Sequence, residues 1–593
     1  MRYVVLSRLG GEQAANMRPA LELLRTNFGT ESRLAVKVTP DSSFEIELDA
    51  RIRRVFYAVA ARGARGGGSG QKHRFVIEQQ QRGSWQPVSS LEIDGKPEGW
   101  RDDAVDLGAV PGTTRTLRFK TSTRGPKGGA PAELFWGSIV FAAPKGELAQ
   151  TDARHLRDPP NVILLSLDTL GAGYLDFLEP GPEANNHIND FLDGSFAFRR
   201  TYVQYPNTLV SHASLFSALY PLHHGIYPGS EQPLRSLVEV LAQHGYLTAA
   251  FSENGYVASS LGFAAGFDRY SDGRKLERFA GDSQRTFADA ARWLEEFGKG
   301  TRFFLFVHTY EVHAPYAPRD DEALAAARRL TPDDGRILHQ RLLMQHNFGK
   351  KRLDKQDLAR LRALYIGEIE YLDRQVGEFL RQLADLGIER DTLVILTSDH
   401  GEQFGEGGKV GHGHNLHNTA LHVPLGFRWP GRIVNAESQV PVQLVDVLPT
   451  VLELIGIPTP EDLDGRSLAT ALLGGPPDPA TRPVFSELLS APDECLIHTE
   501  NRSCRLGRFA VQTGRFKLVS SEIPLGVHLY DLSTDPSETV DVSSERPEEL
   551  ARHEALLAGY LASATAQPHK ADHDAKGLDS GLRERLRELG YVE

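Results

Sequence analysis

The sequence predicts an α/β protein: a mostly parallel sheet sandwiched by helices, with a small C-terminal antiparallel sheet, preceded by an N-terminal antiparallel β-sandwich. Three observations predict it. Up to about residue 145, short alternating strands follow one another between Gly, Pro and Asp turns. From about residue 160, continuous apolar runs such as NVILLSLD alternate with helical patterns, as buried parallel strands and their crossovers do. Towards the C-terminus short strands return and are followed by one helical segment.

Taken in order, residues 1–30 form an N-terminal segment and 31–145 the sandwich, from RLAVKVT and SFEIELD to TRTLRFKT and FWGSIVFAA. RGARGGGSG at 62–70 reads as a hairpin loop, because no P-loop lysine or helix follows it. Trp85, Trp100 and Trp136 read as core or edge packing, with a sugar-binding face as the alternative. Polar residues 146–160 are the expected linker. Residues 161–430 are the α/β core, interrupted at 319–360 by a charged helical insertion that either caps the site or decorates the surface. Residues 431–565 carry the small antiparallel sheet and a closing helix, and 566–593 a polar tail.

At 593 residues the chain can bury more than one core. Its net charge of -12, without a basic run that could track a phosphate backbone, argues against nucleic acid and leaves room for a local cationic pocket for a small anion. Cys495 and Cys504 could pair in an oxidising compartment or remain two reduced thiols. The first apolar run is too short for a signal sequence, and no stretch reaches the ~18 apolar residues of a membrane span. A cytoplasmic protein without a transmembrane segment is expected, and a homo-oligomer is left open.

Two strands end in chemistry. NVILLSLD ends in Asp168 and DTLVILTSDHG in Asp399 and His400, at the carboxyl ends where open α/β sheets place ligands. Either Asp alone would read as a cap or a surface charge. Together with the imidazole they read as the site of one divalent metal: Mn²⁺, Zn²⁺, Fe²⁺ or Mg²⁺, with Ca²⁺ disfavoured by the nitrogen ligand. Thr208, in PNTLVSHASLFSALYPLHHG, opens a helix, where it is either an N-cap or a nucleophile. His308 and His313 flank TYEV at another strand end, where an imidazole could protonate a leaving group. His412, His414, His417 and His422 alternate with glycines in a loop, suited to donating to anionic oxygens or to taking a second metal.

From about residue 160 to 560 these motifs resemble the sulfatase family of the alkaline-phosphatase superfamily. The family's strand-and-Asp motif matches ILLSLDTL, its signature TLVSHASLFSALYPLHHG, its His-containing segment HTYEVHAPY and its Ser-Asp-His-Gly-Glu strand end TSDHGE. LVDVLPT, DGRSL and LYDLSTDPSE match its C-terminal motifs. The resemblance implies the alkaline-phosphatase/sulfatase-like fold and an ester hydrolase. This chain has Thr208 where family members carry the Cys or Ser that becomes formylglycine, Val210 and His212 for the signature's Pro and Arg, and Thr169 for a second carboxylate. Glu253 stands where many arylsulfatases have a sulfate-binding lysine.

The resemblance therefore implies a metal-dependent hydrolase or transferase of phosphate or phosphonate esters. Asp168, Thr208, Asp399 and His400 would bind metal, with Thr208, His313 and His212 catalytic and His412, His414, His308 and Asn254 binding substrate. The substrate would be a small anionic ester, including a glycan- or lipid-linked one. A sulfuric ester hydrolase without formylglycine and a catalytically silent glycan-binding relative are the alternatives.

Overall fold

A computed structural model describes residues 2–5, 23–28, 30–62, 71–94, 99–110, 113–125, 132–143, 159–177, 186–228, 233–273, 281–331, 340–476, 482–489, 507–522 and 525–564. Nearly all of the glycine-rich stretch at 62–70, most of the expected linker, Cys495, Cys504 and the polar tail lie outside the described residues.

The centre is the strand Asn161–Leu167, parallel to Phe303–Thr309 on one side and to Thr392–Thr397 on the other. Leu247–Phe251 and Arg269–Ser271 extend the parallel part, and Leu425–Arg428 joins antiparallel beyond Thr392–Thr397. Side chains alternate between two faces at the two-residue period of a strand. Val162, Leu164, Phe304, Phe306, Leu393 and Ile395 enter one core with the helices Thr208–Ser217 and Val447–Leu454. Ile163, Leu165, Leu305, Val307, Val394 and Leu396 enter the other, with Ser283–Phe297 and the long helix Lys355–Asp385. Burial on both faces explains why these strands read as unbroken apolar runs.

The N-terminal strands form two layers, but one layer is not a separate sheet. Ser43–Asp49, Lys72–Gln81, Ser84–Asp94 and Thr114–Arg124 make a four-stranded antiparallel sheet. Glu31–Val38, Arg54–Arg62, Arg101–Asp106 and Glu133–Ala143 instead continue the central sheet, because Glu31–Val38 pairs with Arg269–Ser271. That pairing covers an otherwise open edge. Arg33 is buried at the seam against Glu31 and Asp102, while Arg269 reaches Glu31 from the α/β side. Trp136 is buried in the sandwich core beside Tyr57, Phe75 and Phe119, Trp100 packs on Phe28, and Trp85 lies under the Arg118 guanidinium.

The C-terminal sheet, Val484–Leu489 through Leu525–Asp531, is antiparallel and is covered by the helix Pro547–Ala564. It reaches the centre through one buried cation. Lys517 Nζ donates to Leu416 O at 2.6 Å, Asn418 Oδ1 at 2.7 Å and Glu538 Oε1 at 2.6 Å. His417 Nδ1 lies 3.0 Å from Glu538 Oε2, so the histidine loop is clamped from below. No helix among the described residues is long and apolar enough to cross a membrane.

Candidate active site

Register alone gathers the carboxylates. Ser166 is paired with His308 on one side and with Thr397 on the other, so Asp168, His308 and Asp399 all emerge at one end of three adjacent strands. Thr208 arrives from the opposite direction, at the first turn of its helix. Asn207 is the N-cap: its side chain accepts from Leu209 N at 3.1 Å. The capping duty is thereby met, and the Thr208 hydroxyl turns to the strand ends instead. Thr208 Oγ1 donates to Asp168 Oδ2 at 3.2 Å and lies 3.3 Å from His400 Nε2.

Asp168, Asp399 and His400 each offer an atom within 4.8 Å of the other two, and all three are fully buried. Among the described residues, Asp168 Oδ1 and Asp399 Oδ2 accept no hydrogen bond. A buried carboxylate oxygen without a donor is costly, and a cation is what removes the cost. Burial and then Asp399 push the Asp168 carboxyl well above the ordinary range. Burial works the same way on Asp399, but His400, His212 and His308 together hold it below the usual range.

The His400 ring presents a nitrogen able to ligate. Its Nδ1 lies 3.1 Å from Gly401 O, a carbonyl that can only accept, so Nδ1 carries the hydrogen and Nε2 the lone pair facing Thr208. The same device recurs twice. His313 Nδ1 donates to Ala314 O at 2.7 Å, and His412 Nδ1 donates to Glu402 Oε1 at 3.0 Å. The His412 ring centroid lies 4.2 Å from that of His400 and 5.0 Å from that of His313. Burial, then His412, brings the His313 imidazole down to about 3. Burial, then His400, holds His412 far below its ordinary value, while burial lifts the Glu402 carboxyl to about 7. Gly411 at φ +88° and Gly413 at φ +73° bracket His412 in the left-handed region, which is why glycines flank the ring.

His212 differs from the sequence expectation of a catalytic group. Its Nδ1 donates to Thr208 O at 2.9 Å and its Nε2 accepts from Ser166 Oγ at 2.9 Å. With both nitrogens engaged inside the protein, the ring braces the first turn of the Thr208 helix against the central strand. His212, His308 and Asp399 also lie within metal-binding distance of one another, but the hydrogen bonds of His212 make this cluster a brace. His308 likewise faces a carboxylate rather than open space, donating from Nε2 to Asp168 Oδ2 at 3.2 Å.

His414 lies further out, accepting at Nε2 from Asn347 Nδ2 at 2.8 Å. Asn254 sits at φ +69°, a conformation asparagine tolerates, on a turn tied to the site by Tyr256 N donating to Tyr310 Oη at 3.0 Å. Glu253 beside it is buried, accepts from Tyr310 N at 2.8 Å and from Thr286 Oγ1 at 2.9 Å, and is lifted to about 7 by burial and Glu311. It supports the strand end and supplies no positive charge to an anion. The Thr169 hydroxyl is engaged by the backbone, at 2.8 Å from Asp168 O and 2.9 Å from Val312 O, while its amide donates to Asp399 Oδ1 at 3.2 Å.

Three contributors were missed by sequence reasoning: Glu402, Ser166 and Asn347. Glu402 could have been found, since it stands two residues after His400 in TSDHGE. Nothing local marks Ser166 or Asn347.

Comparison with known proteins adds the family. The sulfatase family model matches residues 160–457, and the model described as N-sulphoglucosamine sulphohydrolase, C-terminal, matches 412–556. The chain belongs to the sulfatase family. Members of this family are ester hydrolases that bind a divalent metal, and the unsatisfied oxygens of Asp168 and Asp399 beside the His400 lone pair suit such an ion. Arylsulfatase K of Mus musculus is 24% identical over 457 residues, covering 69% of this sulfatase-family chain and 81% of the relative. Among solved structures, a 2-O GAG sulfatase superposes with a TM-score of 0.54 at 19% identity, covering 71% of this chain and 96% of its own. The phosphonate monoester hydrolase of Agrobacterium radiobacter superposes at 0.53 with 22% identity, covering 69% and 96%. These likenesses show the shared fold.

Proposed function

We propose that the protein is a metal-dependent hydrolase of phosphate or phosphonate esters in which the unmodified Thr208 hydroxyl is the nucleophile. One observation carries the reading: Thr208 Oγ1 lies against Asp168 Oδ2 and His400 Nε2, at 3.2 and 3.3 Å, with its capping role taken by Asn207. A threonine cannot yield the formylglycine aldehyde that sulfatases use, whereas a secondary alcohol beside a metal attacks phosphorus directly. Asp168, Asp399, His400 and Thr208 would hold the ion. Mn²⁺, Zn²⁺, Fe²⁺ and Mg²⁺ suit the mixed oxygen and nitrogen donors better than Ca²⁺. When bound, the ion lowers the pKa of the hydroxyl and offsets charge on the non-bridging oxygens.

The remaining chemistry belongs to side chains. Thr208 passes its proton to Asp168 Oδ2, and His308, donating to that same oxygen, keeps the carboxylate in place. Thr208 Oγ1 then bonds phosphorus as the ester oxygen departs, leaving a phosphorylated threonine for water to hydrolyse. The helix N-terminus at Thr208 directs backbone N–H groups at the same anion. His313 rests neutral with its lone pair on Nε2. An anionic ester seated beside it raises its proton affinity and favours the imidazolium, which can donate to the departing oxygen. Glu402 holds His412 in the corresponding tautomer.

A second reading, sulfuric ester hydrolysis by the same hydroxyl, is favoured by the arylsulfatase names of the curated relatives. Aryl phosphodiester, phosphonate monoester and sulfate monoester substrates, offered to protein reconstituted in turn with each metal, separate the two. Highest kcat/KM on a phosphorus ester is expected. Preference for the sulfate, with Thr208 shown unmodified by peptide mass, would overturn the ranking, and no turnover on any ester would overturn both.

A further inference from the structure

From Gln340 to Leu353 the chain carries four cationic side chains, Arg341, Lys350, Lys351 and Arg352, and no carboxylate, in a protein whose net charge is -12. Lys350, Lys351 and Arg352 are exposed, and among the described residues none of the three pairs with a carboxylate. Neighbouring acids are committed elsewhere: Asp354 and Asp357 form the capping box of the long helix, and Glu406 accepts from Phe404 N.

The tract is held in place. Lys350 N and Lys351 N both donate to Gln345 O, at 2.9 and 3.1 Å, after Gly349 turns the chain at φ +69°, and Leu353 N donates to His346 Nδ1 at 3.0 Å. It is also fastened to the catalytic loop. Asn347 accepts from Val410 N at 2.8 Å and donates to Val410 O at 2.7 Å and His414 Nε2 at 2.8 Å, while Lys409 Nζ donates to Asn347 O at 2.8 Å. The loop so gripped carries His412, next to His400. The tract is therefore fastened to the loop that carries His412 and presents three exposed cations there, beside Phe348, which is 50% exposed. Lys350 Nζ lies 5.9 Å from the centre of the Phe348 ring. A cation at a helix C-terminus complements the helix dipole, but three consecutive ones without a carboxylate partner among the described residues repel one another beyond what that requires.

We infer that Lys350, Lys351 and Arg352 form an anion subsite that reads a second anionic group on the ester, a phosphate, sulfate or carboxylate outward of the bond cleaved at Thr208. The natural substrate is thus a polyanionic ester. The inference rests on the proposed function only in placing the scissile ester at Thr208.

The test compares the metal-loaded full chain with the triple variant Lys350→Gln, Lys351→Gln, Arg352→Gln. Two 4-nitrophenyl phosphodiesters are used, one with a methyl and one with a 3-sulfopropyl second arm. Fluorescence anisotropy of pyrenetetrasulfonate supplies a readout independent of turnover. The expected result is about a tenfold rise in KM for the sulfopropyl ester with kcat held, no change for the methyl ester, and about tenfold weaker dye binding that salt erases in the wild type. Equal KM changes on both esters, or dye binding untouched by the triple variant, would overturn the subsite. Dye binding that depends on the tract without turnover of either ester would leave the subsite standing and remove the proposed function.

Discussion

Replacing Thr208 by valine removes one hydroxyl and keeps the shape, so its consequences can be worked out from the contacts. The hydroxyl makes two long contacts, 3.2 Å to Asp168 Oδ2 and 3.3 Å to His400 Nε2, near the weak end of hydrogen-bond geometry. Its contribution to stability is accordingly about 1 kcal/mol, and Asp168 Oδ2 keeps the His308 donor after the change. If the same oxygen is the nucleophile, turnover falls by at least about a thousandfold, roughly 4 kcal/mol of transition-state stabilisation. The two magnitudes separate a lost hydrogen bond from a lost reaction. The assay is initial rate on the preferred phosphorus ester beside thermal melting, with the wild type acid-quenched in turnover and the Thr208 peptide searched for a phosphoryl adduct. Thr208→Val retaining more than about a tenth of wild-type kcat, or no adduct on that peptide, would refute the nucleophile assignment.

Two other outcomes follow from the buried charges. In the wild type, chelation lowers the melting temperature, because an ion at about a hundred times its dissociation constant contributes about 2.7 kcal/mol. Asp399→Asn removes one of the two unsatisfied oxygens and abolishes that metal-dependent difference; an unchanged difference would show that the ion sits elsewhere. Glu487 is lifted to about 8 by burial, while accepting from Leu222 N and from Tyr560 Oη. The unfolded chain releases this proton near the ordinary 4.5 and the folded chain keeps it to about 8, so the folded state binds more protons between and stability falls as pH rises through that window, then levels. Thermal melts across the window give a shallower decline for Glu487→Gln than for the wild type, and equal slopes would contradict the assignment.

Much of this was legible because strand chemistry is local. NVILLSLD and TLVILTSD announce doubly buried strands by composition, and an Asp at the end of each falls at the carboxyl edge of any parallel sheet. That part of the site follows from order along the chain. The sandwich was legible strand by strand, but its partition was not: pairing of Glu31–Val38 with Arg269–Ser271 joins segments more than two hundred residues apart, and nothing in either says which edge it will meet.

The sequence by itself determined the fold class, the family motifs and the three strand-end groups that the fold brings within metal-binding distance of one another, Asp168, Asp399 and His400. Tertiary structure alone decided what each side chain does there. Asn207 caps the helix and releases Thr208, whereas Ser166 and the Thr208 carbonyl occupy both nitrogens of His212. Gly401, Ala314 and Glu402 fix the tautomers of His400, His313 and His412, and Asn347 ties the insertion to the histidine loop. The physical reason is common to all of them. A residue type states which atoms could donate, accept or ligate, but a buried imidazole or hydroxyl has few such atoms, and whichever neighbour engages one of them settles what the others can do.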